Sequence, residues 1–190
     1  VSLKFQLHKK LRDLVIAGHV NYDNVAAAGT TDIVNTVNLT NANLTVAAQP
    51  DVPRSLVITV VDSTPGIVAG LVTITGKNAL GQTISEVVNC AAGAATYLTN
   101  NAFSIVSTVV TSNFSVLGGG GDETIAVGSG LKLGLPVKYL RDIFKACVDG
   151  ADEAVGTVNL TYGTIITTTA PNGTRDYDFW FRYYLAPLNM

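Results

Sequence analysis

The chain is 190 residues long, with 14% charged residues, a net charge of −2 and a mean hydropathy of +0.34. That length suits one domain and buries a sizeable core, roughly 70% of the unfolded surface. Twelve basic against fourteen acidic residues, with no Lys/Arg run beyond Lys9–Lys10, argue against nucleic acid as a partner, and no apolar run approaches the ~18 residues of a membrane-spanning helix.

Residues 1–20 carry Leu3, Leu7, Leu11, Leu14 and Val15 at three- and four-residue spacing, with Lys4, Lys9, Lys10, Arg12 and Asp13 between them. The spacing predicts a short helix or an extended arm, stopped at Gly18, and sets residues 1–24 apart from a domain over 25–190. Docked on its own domain, the segment is a terminal helix. Reaching a neighbouring subunit, it is an arm whose contacts are Leu3, Leu7, Lys9, Lys10, Leu11 and Arg12. No apolar core and cleavage site follow its charges, so it does not read as a signal peptide.

After a turn-rich link over 21–29, residues 31–48 alternate apolar side chains with Asn and Thr and predict two strands around Asn41–Asn43. Pro50 and Pro53 break pairing, because neither donates to a ladder. Three β-branched runs follow, at 56–61, 71–75 and 83–88, each bounded by Pro, Gly, Asn or Asp. In the last of them Ile84, Glu86 and Val88 share a face. Residues 103–110 predict a further strand with Phe103, Ile105, Ser107 and Val109 on one face. The four glycines 118–121 and the triplet Gly128-Ser129-Gly130 read as loops on either side of a short strand at 125–127. Residues 138–149 fit either period. The hairpin signal Asp149-Gly150 selects a strand there, feeding another over 155–162, with 165–169 at an edge. The chain closes on an aromatic strand at 177–184, where Tyr177, Phe179, Phe181 and Tyr183 alternate with Asp178, Trp180, Arg182 and Tyr184. Trp180 shares a face with two charged residues, as an exposed interface aromatic or a half-buried ring under an arginine stem. Short strands at regular spacing with turns between them predict an all-β fold, an antiparallel sandwich or barrel-like domain with an N-terminal arm or short helix.

Catalytic patterns are weak. His8 and His19 both lie in the N-terminal segment, and no Gly-x-Ser-x-Gly elbow is present. Gly118–Gly121 is followed by Asp122 and Glu123, which would repel phosphate. Asp149, Asp152 and Glu153 are a candidate calcium cluster, and Glu86, Asp122 and Glu123 a candidate carboxylate pair for glycoside hydrolysis. The first group also reads as an ordinary acidic turn at a strand end, and the second requires two carboxylates distant in sequence to converge in the fold. Cys90 and Cys147 have no metal spacing and read as two buried free thiols. No catalytic residue, cofactor or metal is assigned.

Several strings carry a resemblance: Pro50-Asp51-Val52-Pro53-Arg54, then residues 70–82 with Ser85-Glu86, residues 125–136, residues 158–164 and residues 170–177. Together they resemble a family of small virion structural proteins of tailed bacteriophages, over roughly residues 50–184. The resemblance implies a non-enzymatic part of the particle, first a capsid decoration or cement protein. Such a protein is a homo-oligomer, with a trimer favoured, bound to the major capsid protein or other virion proteins at the capsid surface after assembly in the host cytoplasm. It has no nucleic-acid or membrane partner. A neck, tail or baseplate protein is the alternative within the family. A glycan-binding sandwich is the alternative outside it, with Tyr97, Trp180, Tyr183 or Tyr184 stacking on sugars.

Overall fold

A computed structural model describes residues 15–62, 67–116 and 123–184 of the chain. Within them the fold is all-β, as the alternating patterns require, and every strand pairing is antiparallel. Sixteen strands run in chain order: β1 (Val15–Val25), β2 (Val34–Asn38), β3 (Asn43–Leu44), β4 (Arg54–Val61), β5 (Ile67–Val68), β6 (Gly70–Lys77), β7 (Thr83–Cys90), β8 (Ala95–Leu98), β9 (Ile105–Ser112), β10 (Ser115–Val116), β11 (Thr124–Gly134), β12 (Leu140–Val148), β13 (Ala151–Glu153), β14 (Thr157–Asn159), β15 (Thr164–Ile166) and β16 (Arg175–Tyr184).

They form three main sheets. Sheet I has the order β1-β16-β12-β13, sheet II the order β14-β15-β11-β4-β8 with β2 also on β11, and sheet III the order β3-β9-β6-β7. A two-strand ladder joins β5 to β10. Two hydrophobic cores result. The first lies between sheets II and III and joins Leu56, Ile58, Ile125 and Val127 to Val72, Ile74 and Val109. In the second, Tyr22, Ile143, Tyr177, Phe179 and Phe181 of sheet I meet Leu133, Leu135 and Ile165. Each fully buried Leu, Ile or Phe contributes about 1.5–3 kcal/mol.

Strand β11 belongs to both cores. Its one edge pairs with β4, while the other pairs with β2 near Ile125 and with β15 near Leu133. Between those partners, Ser129 N donates to Asp32 Oδ1 at 2.8 Å and Ser129 O accepts from Gly29 N at 3.0 Å. The triplet Gly128-Ser129-Gly130, expected as a loop, is therefore the middle of a strand. Its glycines answer to crowding rather than flexibility. A Cβ on Gly128 would stand 2.2 Å from the Gly29 carbonyl oxygen, and one on Gly130 would stand 2.3 Å from Ser55 Oγ.

Other expectations need correction. The N-terminal helix or arm over 1–24 does not extend through its second half, because residues 15–24 lie in β1, paired with β16 from Val15–Tyr184 to Val25–Arg175. Gly18 is no helix stop: a Cβ there would meet the Phe181 ring at 2.6 Å. The two strands expected over 31–48 separate, β2 to sheet II and β3 to sheet III. The face expected for 103–110 is broken by a bulge, where Thr75 pairs with Thr108 but Gly76 with Val106. The bulge turns Ile105 outward and Val106 inward. Residues 138–149 do form a strand, and its hairpin turn has positive φ at both Asp149 (52°) and Gly150 (77°). That hairpin leads into β13, however, and the run expected over 155–162 contributes only β14, in sheet II. The glycine run at 118–121 with Asp122 lies outside the described residues, as do residues 63–66.

Candidate functional site

Of the residues singled out for interaction, Leu3, Leu7, Lys9, Lys10, Leu11 and Arg12 lie outside the described residues. Trp180 lies within them, and strand alternation decides its place. Tyr177, Phe179 and Phe181 point into the second core, so Asp178, Trp180 and Arg182 stand on the outer face of sheet I.

Register places His19 of β1 and Lys145 of β12 on either side of Trp180. The His19 ring stacks on the indole with centroids 4.6 Å apart and 23° between planes, and Lys145 Nζ stands 5.0 Å from the ring centroid. The ring is half-buried and flanked on both strands. Around it the charges are paired. His19 Nε2 lies 2.8 Å from Asp178 Oδ1, which also accepts from Asn21 Nδ2 at 3.2 Å. Lys145 reaches Asp152 Oδ1 at 2.9 Å, and the same oxygen accepts from Cys147 Sγ at 3.1 Å. Arg182 grips Asp142 with two parallel bonds, Nε to Oδ1 at 2.8 Å and Nη2 to Oδ2 at 2.7 Å, beneath Phe144.

These pairings set the proton affinities. The hydrogen bond from Lys145, then that from Cys147, holds the Asp152 carboxyl below the usual carboxylate range. The hydrogen bond to Asp152 pushes the Cys147 thiol up, with burial adding to it. A thiol held in its protonated form is a poor nucleophile. The face presents one aromatic ring flanked by paired charges.

Of the carboxylates weighed as sites, Asp149, Glu153 and Glu86 are engaged in the fold. Asp149 Oδ1 accepts from Asp176 N at 3.0 Å, and Glu153 Oε1 accepts from Thr168 Oγ1 and Thr169 N. Glu86 takes four bonds, from the backbone and side-chain nitrogens of Asn100 and Asn101, at 2.7–3.3 Å. Among the described residues, no group of three or more His, Cys, Asp or Glu side chains stands where it could hold a metal ion. Cys90 and Cys147 are buried and free, as expected. The four aromatics considered for sugar stacking do not converge. Tyr97 packs against the first core with its hydroxyl accepting from Ala91 N at 2.7 Å, and Tyr183 packs against the second core on the face opposite Trp180.

Sheet II carries a feature that the sequence pattern hides. On its outer face an apolar groove of about 300 Å³ is lined by Val57, Leu98, Leu131 and Ile166, with Ser55 and Lys132 at its polar margin. Lys132 Nζ is already bonded to Thr99 O at 3.1 Å. Leu98 is 53% exposed and Leu131 42%. Residues 91–94 are small, which conceals β8 just beyond them. The Thr96-Tyr97-Leu98-Thr99 alternation was the available signal.

Comparison of the chain with protein-family models, with curated proteins and with solved structures finds no match.

Proposed function

We propose that the chain is a non-enzymatic virion structural protein, a capsid decoration or cement protein that bridges capsid subunits of a tailed phage. The carrying observation is the apolar groove on the outer face of sheet II, where Val57, Leu98, Leu131 and Ile166 come together with Leu98 53% and Leu131 42% exposed, on a chain with only 14% charged residues. The phage-like strings between residues 50 and 184 support the same reading. So does Glu86, whose two carboxylate oxygens are both taken up by Asn100 and Asn101.

A cement protein acts by added contact area. One interface of about 1,600 Å² spans affinities from μM to pM, and repeated contacts on a lattice multiply the effect. The test is to mix the purified protein with expanded, undecorated capsids. Saturable binding at lattice stoichiometry with a raised capsid melting temperature supports the reading. Absence of binding, with the protein found only in tail fractions, overturns it in favour of a neck, tail or baseplate protein.

A further inference from the structure

We propose that β7 pairs with β7 of a second copy, antiparallel and about a two-fold axis at Val87, extending sheet III across two chains. Strand β7 ends the sheet order β3-β9-β6-β7, so among the described residues no strand pairs with its outer side. The bond from Asn78 N to Gln82 O fixes the phase of the β6–β7 hairpin. Alternation then gives Ile84, Glu86, Val88 and Cys90 the bonds to β6. It turns the N–H and C=O of Thr83, Ser85, Val87 and Asn89 to the open edge.

Edges of this kind are normally blunted by shortness, charge, proline or a bulge. The others described here are. Strands β3, β8, β13 and β14 have two to four residues, and β2 is short with a register break. Strand β1 is long but breaks register between Tyr22 and Val25, with Asn24 at φ 49°. Strand β7 has eight residues in unbroken register with β6, and no Pro, Lys or Arg. Its outward side chains are uncharged, and Val87 is 58% exposed.

An open strand edge is completed by another strand, and a second β7 fits it in one register best. Centring on Glu86 sets two carboxylates directly opposite each other. Centring on Ser85 leaves Val87 opposite Thr83. Centring on Val87 pairs Val87 with itself and Ser85 with Asn89, places Glu86 opposite Val88, and forms about six backbone hydrogen bonds. The ladder stops there, because Ala91 N is already bonded to Tyr97 Oη. Such a ladder buries less than a standard interface, so the contact is weak in free solution and fills when chains are concentrated side by side. It does not depend on the virion reading, and a two-fold contact is separate from whatever closes a trimer.

Two single-cysteine additions test it under mild oxidation at high protein concentration, in the full chain with its buried native thiols. Opposed residues in a hydrogen-bonded pair have Cα atoms ~5.5 Å apart, within disulfide reach. Val87→Cys is expected to give a covalent dimer, and Thr83→Cys to stay monomeric. In sedimentation velocity, Val87→Pro, which removes the outward N–H, is expected to lose the concentration-dependent dimer while keeping its circular dichroism. Equal cross-linking at both positions, cross-linking at neither, or a dimer unchanged by the proline overturns the proposal.

Discussion

Arg54 Nη1 donates to Asp51 Oδ1 at 2.9 Å, and through this pair three separate stretches of chain are held at one point. The guanidinium is wholly buried and also donates to Gly130 O at 2.8 Å and Ala26 O at 3.0 Å, while Asp51 Oδ2 accepts from Ala26 N at 2.7 Å. The exit of β1, the start of β4 and the glycine-flanked middle of β11 meet there. Removing one partner of such a pair leaves the other charge without compensation. Asp51→Ala is therefore expected to cost about 3 kcal/mol, read as a lower urea midpoint at unchanged slope. A midpoint equal to that of the parent would show that water replaces the carboxylate at no cost.

The crowding at β11 gives a second expectation. Gly128→Ala forces a methyl group against a backbone carbonyl, which cannot rotate away as a side chain can. Overpacking of this kind costs about 1–3 kcal/mol, and the backbone contact puts this site at the upper end. Thermal unfolding of the alanine variant measures it. An unchanged midpoint would mean that the segment at Gly29 moves freely.

Truncation separates the two halves of the N-terminal segment. Deleting residues 1–14 keeps every described pairing of β1. Deleting residues 1–20 removes the partners of Phe179 through Tyr184 and uncovers one side of the second core. Relative to the shorter deletion, the longer one is expected to lose more than ~3 kcal/mol or fail to fold. Equal stability of the two deletions, by urea unfolding, would mean that β1 adds nothing to the core.

The thiols and Asp152 make a linked prediction. Burial pushes the Cys90 thiol up to about 11, and the Asp152 hydrogen bond raises Cys147 as well. Both are expected to resist a thiol reagent near neutral pH in the folded protein and to react fully once it is unfolded. Asp152→Asn is expected to speed labelling of Cys147 alone. The Asp152 carboxyl is held below its ordinary value in the fold, so its contribution is present above about pH 4 and is lost as the pH falls through the lower, folded value. The asparagine variant should therefore show a flatter acid limb in a plot of melting temperature against pH. An identical acid limb would mean that the Lys145–Asp152 pair carries no stability.

How far the sequence was readable follows from where local pattern and tertiary packing agree. In β16 and β6 the period of two coincides with one buried face, and both strands fall where the alternation puts them. In β12 the helical and strand periods compete, and the Asp149-Gly150 turn decides the matter. Gly18 and Gly128 misled because a glycine demanded by a close neighbour looks the same in sequence as one demanded by a turn. A Cβ on Gly76 would lie 2.0 Å from the Ile105 carbonyl oxygen, at the bulge that inverts the face expected for β9.

Of the candidate surfaces, Trp180 was visible through its place between Asp178 and Arg182. Its partners His19 and Lys145 come from strands far apart in the chain, and only register brings them together. The groove at Val57, Leu98, Leu131 and Ile166 draws on four strands and has no linear signature.

The head-decoration reading is tested most directly by the copy number of this chain per virion, measured by quantitative mass spectrometry against the major capsid protein. A decoration protein stands in fixed ratio to the capsid lattice, with copies on the scale of the major capsid protein itself. A handful of copies per particle, carried with the neck or tail fraction, would contradict it.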